Sequence, residues 1–172
     1  MVLERLTRLT EGSNVLEAGQ GDYREGRGGD LSMHKIDYLA RQTREQHREL
    51  LRVDIDFANA FNSVSHGTLW AVLEGFRVPD VHWLKFILFV NTLSLYLTAV
   101  GRNHEIEHGI RGVRGWNNTL FCDDLTLFAQ TETVMQTLLV VVSVFDDWSG
   151  LPVKLKKCCV MRVGDRHSEE CK

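Results

Sequence analysis

The segment Leu51-Arg-Val-Asp-Ile-Asp-Phe57 constrains this chain more than any other stretch. Side chains of a β-strand alternate between faces, so Val53, Ile55 and Phe57 share one face and Asp54 and Asp56 the other. The apolar face must be buried against further elements, whereas bare carboxylates cannot be buried without a partner. A half-buried strand is therefore expected.

The rest of the chain supplies elements to build around that strand. Met33, Ile36, Leu39 and Ala40 recur at helical spacing, with Leu50 and Leu51 closing the stretch, and predict an amphipathic helix from Leu31 towards Leu51. Phe61-Asn-Ser-Val-Ser-His66 reads as a turn, and Leu69, Val72, Leu73 and Phe76 predict a helix from Thr68 that stops before Pro79. A helix from Asp80 to about Phe89 follows. Leu93, Leu95, Leu97 and Ala99 alternate with Ser94, Tyr96 and Thr98, which predicts a strand ending at Gly101. Two apolar runs flank Asp123-Asp124, the spacing of a hairpin. Val134, Leu138, Val141, Val142 and Phe145 mark a helix from Thr131 to Trp148, with Gly150 as its stop, and Cys158 to Val163 forms a last strand. The glycine-rich residues 1–30 are expected to be a flexible arm, and residues 164–172 a polar tail.

Composition narrows the function classes. With 20 Lys+Arg against 23 Asp+Glu, the net charge is -3, which disfavours a small, tightly binding nucleic-acid module because phosphates must be met by surplus cations. The 172 residues and 44% hydrophobic content suit one globular domain. Cys122, Cys158, Cys159 and Cys171 make no C-x-x-C pair, so reduced thiols in an intracellular protein are the expectation. No secretory signal is evident, and polar residues interrupt Trp83 to Val100 enough to argue against a membrane span.

Asp56, Asp123 and Asp124 carry the chemistry. If the hairpin packs beside the first strand, their carboxylates converge, and such crowding is tolerable only with protonation or a neutralising cation. Mg²⁺ or Mn²⁺ fits, because hard cations take one or two carboxylates and complete their shell with water and phosphate oxygens. A pair of such ions clamps the attacking and leaving oxygens of phosphoryl transfer. From spacing alone, Asp123-Asp124 fits a solvated turn better than a metal site.

Asp56-Phe-Ala-Asn-Ala-Phe61-Asn-Ser-Val resembles the first palm motif of non-LTR retrotransposon reverse transcriptases, Asp-x-x-x-Ala-Phe. Phe121-Cys-Asp-Asp124 resembles that family's catalytic hairpin, and Trp148-Ser-Gly-Leu-Pro-Val-Lys-Leu-Lys-Lys157 its Trp-Ser-Gly-Leu segment with the lysine that follows. Tyr23-Arg-Glu-Gly-Arg27 loosely resembles its fingers segment. The four pieces occur in the family's order. The resemblance implies an α+β palm-type domain over residues 31–163, like a split βαβ arrangement, with helices packed on one face of a small antiparallel sheet, incomplete fingers within residues 1–30 and no thumb.

It also implies roles. Asp56, Asp123 and Asp124 would be catalytic metal ligands for Mg²⁺ or Mn²⁺. Phe61 would wall off the sugar 2′ position, although its place equally fits a core phenylalanine. Lys157 would donate a proton or steady the triphosphate, yet Lys154, Lys156 and Lys157 together also fit a solvated basic edge. Arg24 and Arg27 would reach phosphates by their bidentate forks, or simply solubilise the arm. The implied activity is RNA-directed DNA synthesis on an RNA template and DNA primer with deoxynucleoside triphosphates, and the implied partners include no membrane.

The departures are specific. Gly109-Ile-Arg-Gly112 and Gly112-Val-Arg-Gly115 look like remnants of the family's Gly-(Val/Ile)-Arg-Gln-Gly motif without the Gln, and the hairpin follows at once where the family has a Leu-Ser-Pro turn and a long helix. Asp56 and Asp123 bracket only residues 57–122, shorter than the family's span. Positioning dominates this chemistry, so a weak or inactive polymerase is expected, the alternative being a non-catalytic remnant or interaction module. A further motif, His104-Glu-Ile-Glu-His108, satisfies the zinc-peptidase pattern, but its expected setting between a strand and Gly109 is not helical.

Overall fold

The computed structural model describes residues 12, 16, 17, 19–21, 29–58, 67, 82–103 and 116–164, with residues 82–87 and 103 as backbone only. In chain order the elements are α1 (Gly29–Glu45), β1 (Leu50–Asp56), α2 (His82–Asn103), β2 (Asn118–Phe121), β3 (Asp124–Ala129), α3 (Glu132–Ser149), a 3₁₀ turn (Leu155–Lys157) and β4 (Cys159–Val163). The fold is α+β. All strand pairs are antiparallel, in the order β2-β3-β1-β4. From β1 onwards, the described elements follow the β-α-β-β-α-β sequence of a split βαβ unit.

The alternation in β1 works as its side chains require. Val53, Ile55 and Phe57 are buried, together with Leu125, Leu127 and Ala129 of β3 and Leu120 of β2. Against this face pack Phe89, Val90, Leu93 and Leu97 of α2 and Met135, Leu138, Val142 and Phe145 of α3. Burying each large apolar side chain contributes about 1.5–3 kcal/mol. The Phe89 and Phe145 rings, 5.4 Å apart, join the two helices. Thr131 caps α3 by accepting a hydrogen bond from the Val134 N–H, and Gly150 ends it at φ 70°, a left-handed conformation that glycine adopts without steric cost.

Several expectations fail here. The predicted strand over Leu93–Ala99 is instead the second half of α2, which runs unbroken for 22 residues. Ser94 and Thr98 do not alternate outward. They are buried, while Leu95 and Tyr96 are exposed, so the buried set 90, 91, 93, 94, 97, 98 and 101 has helical spacing. Amides at the start of β2 make this possible: the Ser94 hydroxyl donates to Asn118 Oδ1 at 2.7 Å, Asn118 Nδ2 donates to Thr98 Oγ1 at 3.4 Å, and Asn117 Nδ2 donates to the Leu97 carbonyl. A long helix thus does lie between the acidic motifs, ahead of residues 109–115 rather than after them.

The second failure concerns helices on one face only. Leu50, Phe128 and Val163 point to the acid-bearing face, where α1 covers them with Ile36 and Leu39, and Trp116 stacks on Phe128 at 4.9 Å. That face is apolar at one end and acidic at the other, so it needs its own helix. The arm is also pinned in part: Gly19 and Gly21 exchange backbone hydrogen bonds with Leu120, both 2.9 Å, and Gly29 already belongs to α1. Cys159 is disulfide-bonded, against the expectation of reduced thiols throughout. Among the described residues, no helix is long and apolar enough to cross a membrane. The predicted turn over 61–66, the helix over 68–76, most of the arm and the tail after Gly164 lie outside the described residues.

Candidate functional site: an acidic corner of the sheet

At one end of the sheet, three strands place side chains in a row on the face opposite the main core. Asp56 ends β1, Asp124 begins β3, and the two are directly paired; Asp124 is paired in turn with Phe121, the last residue of β2. Directly opposed residues in an antiparallel pair have Cβ atoms about 4.5–5.5 Å apart, so the two carboxylates share one patch of surface. The turn is one residue earlier than the sequence suggests. Cys122 and Asp123 form the two-residue loop, and Asp124 belongs to the strand. That shift matters, since it brings Asp124 into register with Asp56.

Cys122 has φ 52°, whereas Asp123 has no positive φ, the pattern of a type II′ hairpin in which glycine normally takes the first turn position. A non-glycine residue there is strained. The strain sits at the tip that presents Asp123 and Asp124.

The electrostatics are those of crowded acids. Burial first, then Asp123, Asp56 and Asp54, push the Asp124 carboxyl above its ordinary value, and Lys157 opposes the rise. Lys157 Nζ lies 3.0 Å from Asp56 Oδ2, and Lys154 Nζ lies 3.9 Å from the same oxygen. The Lys154 backbone N–H also donates to the Asp56 carbonyl at 2.8 Å, anchoring the 3₁₀ turn beside β1. The Lys157 side chain is 64% exposed and that of Asp56 22%, so their ion pair adds only about 0.2–1 kcal/mol.

Asp54, one row back, has a different task. Arg52 grips both of its oxygens, Nε to Oδ1 at 3.0 Å and Nη2 to Oδ2 at 2.9 Å, and the Thr126 hydroxyl donates to Oδ1 at 2.7 Å. Asp54 thus accepts three hydrogen bonds within the sheet, whereas the ion-pair contacts of Asp56 are with the lysine side chains of the adjoining turn. From sequence, Lys154 is expected only as part of a solvated basic edge and Thr126 is not expected at the site, although Thr126, two residues after Asp124, shares its face by alternation.

Among the described residues, no group of three or more His, Cys, Asp or Glu is placed to hold a metal ion as it stands. The corner offers a carboxylate pair with Asp123 beside it. That donor set fits Mg²⁺ or Mn²⁺, which need only one or two carboxylates, and does not suit zinc, which favours His and Cys. Phe61, Arg24, Arg27 and the whole of His104–His108 lie outside the described residues, although α2 reaches Asn103, so the segment before that motif is helical rather than a strand. No protein-family model and no curated protein matches the chain.

Proposed function

We propose that this chain is the palm-type part of an RNA-directed DNA polymerase, with a divalent-cation site at Asp56, Asp123 and Asp124 and weak or no polymerase activity of its own. The observation that carries the reading is the direct pairing of Asp56 with Asp124 across β1 and β3. It sets the two acids of the resembling motifs on one surface, with Lys157 of the third motif 3.0 Å from Asp56. The β-α-β-β-α-β order of the described elements supports the same reading.

In this reading Mg²⁺ or Mn²⁺, when bound, stabilises charge on the attacking hydroxyl and the leaving phosphate. Asp56 and Asp124 would hold the cation, Asp123 would complete the site, and the Arg52–Asp54–Thr126 set keeps β1 and β3 in register. The substrates would be a deoxynucleoside triphosphate and a primer on an RNA template. Weak activity follows from two features: the Gln-containing grip motif is lacking, and α1 covers the apolar half of the acid-bearing face, leaving only its end row for a nucleic acid.

The test is Mn²⁺ binding by the full chain, followed by electron paramagnetic resonance, alongside primer extension on an RNA template. Binding that is lost in Asp56→Asn, with little or no extension, is the expected result. Absence of Mn²⁺ binding at millimolar concentrations would overturn the metal-site reading, and vigorous extension abolished by Asp123→Ala would overturn the claim of weak activity.

A further inference from the structure

We propose that Lys157 is a displaceable counter-ion, so that its contact with Asp56 competes with the binding of a divalent cation there. This rests on the reading of the acidic corner as a cation site. Two ammonium groups, Lys157 and Lys154, converge on the single oxygen Asp56 Oδ2 at 3.0 and 3.9 Å. The corner therefore carries its own positive charge on the carboxylate that would ligate a cation. A divalent ion on this carboxylate and an ammonium at its Oδ2 repel one another, so each weakens the hold of the other.

The contact is built for release rather than for stability. The backbone of the 3₁₀ turn is held independently of it, through Lys154 N–H to the Asp56 carbonyl at 2.8 Å and Lys157 N–H to the Lys154 carbonyl at 2.8 Å. Removing the ammonium from Asp56 moves only a flexible four-carbon side chain that is already 64% exposed. Lys156, exposed on the same turn, provides an internal control of equal charge.

The experiment measures Mn²⁺ affinity by electron paramagnetic resonance for the full chain and for Lys157→Met, Lys157→Arg and Lys156→Met, and follows the wild-type Lys157 ammonium by ¹⁵N relaxation as Mg²⁺ is added. Losing a competitor of the strength of an exposed ion pair should tighten Mn²⁺ binding about two- to fivefold in Lys157→Met. Lys157→Arg should bind more weakly than wild type, because its fork grips the carboxylate harder, and Lys156→Met should change little. Mg²⁺ should raise the mobility of the Lys157 ammonium. Equal tightening in Lys157→Met and Lys156→Met, or an ammonium indifferent to saturating Mg²⁺, overturns this proposal while leaving the cation site standing. If wild type binds no cation at all, the site and the proposal fall together.

Discussion

Asp56 and Asp124 stand directly opposite one another, the last residue of β1 against the first of β3. Opposed like charges weaken a sheet, and an isolated protein gains nothing from putting them there. The neighbouring Arg52–Asp54–Thr126 set shows how the same sheet neutralises an acid that has only a structural task.

The first prediction concerns pH. The Asp124 carboxyl is raised above its ordinary value of 3.8 by burial and by Asp123, Asp56 and Asp54. In the window between 3.8 and the raised value, the folded state holds more proton than the unfolded one, so stability falls as pH rises through it. Asp124→Asn should therefore be more stable than wild type at pH 7, by about the 0.2–1 kcal/mol of a cross-strand pair, and the difference should vanish below pH 3.8. Urea unfolding at several pH values measures this, and an unchanged midpoint at pH 7 counts against it.

Strain at the hairpin tip gives the second. Cys122→Gly relieves the φ of 52° but loosens the unfolded chain, leaving a net gain of about 0.5–1 kcal/mol. A fall in the urea midpoint would show that the Cys122 side chain matters more than its backbone.

The third tests the pinned arm. A Cβ on Gly19 would lie 2.6 Å from Asn118 Oδ1 and 2.8 Å from the Asn118 carbonyl oxygen. The second of these is backbone in the sheet and cannot step aside, so Gly19→Ala should cost about 1–3 kcal/mol. Hydrogen exchange should show faster exchange at the Leu120 amide, which donates to Gly19; unaltered protection there would refute the pairing.

Thr126→Val provides the fourth. It keeps the shape but deletes the 2.7 Å hydrogen bond to Asp54, at a cost of about 0.5–1.5 kcal/mol, while Thr126→Ser should retain most of it. Equal losses in Val and Ser variants would mean that the methyl, not the hydroxyl, holds the site.

Much of the fold was legible because burial repeats with the period of each element. The β1 alternation, the α3 stripe of Leu138, Val142 and Phe145 and its Gly150 stop all follow from side-chain direction along one segment. The same logic failed for α2. Ser94 and Thr98 read as outward polar positions, and it is Asn118, 24 and 20 residues away in the chain, that makes it favourable to bury them. Likewise Leu50 and Phe128 carry no local sign that a helix covers the acidic face.

The sequence by itself determined that Asp54 and Asp56 share a face and that Asp123 and Asp124 sit at a hairpin, since both depend on neighbours a few residues apart. Which acid meets which was decided only by tertiary structure. Register between β1 and β3 is set by packing of the shared apolar face, and a slip of one residue would turn Asp124 away from Asp56. The pairing with Lys157 arises in the same way, from a turn hydrogen-bonded to the end of β1 rather than from anything local to the lysine.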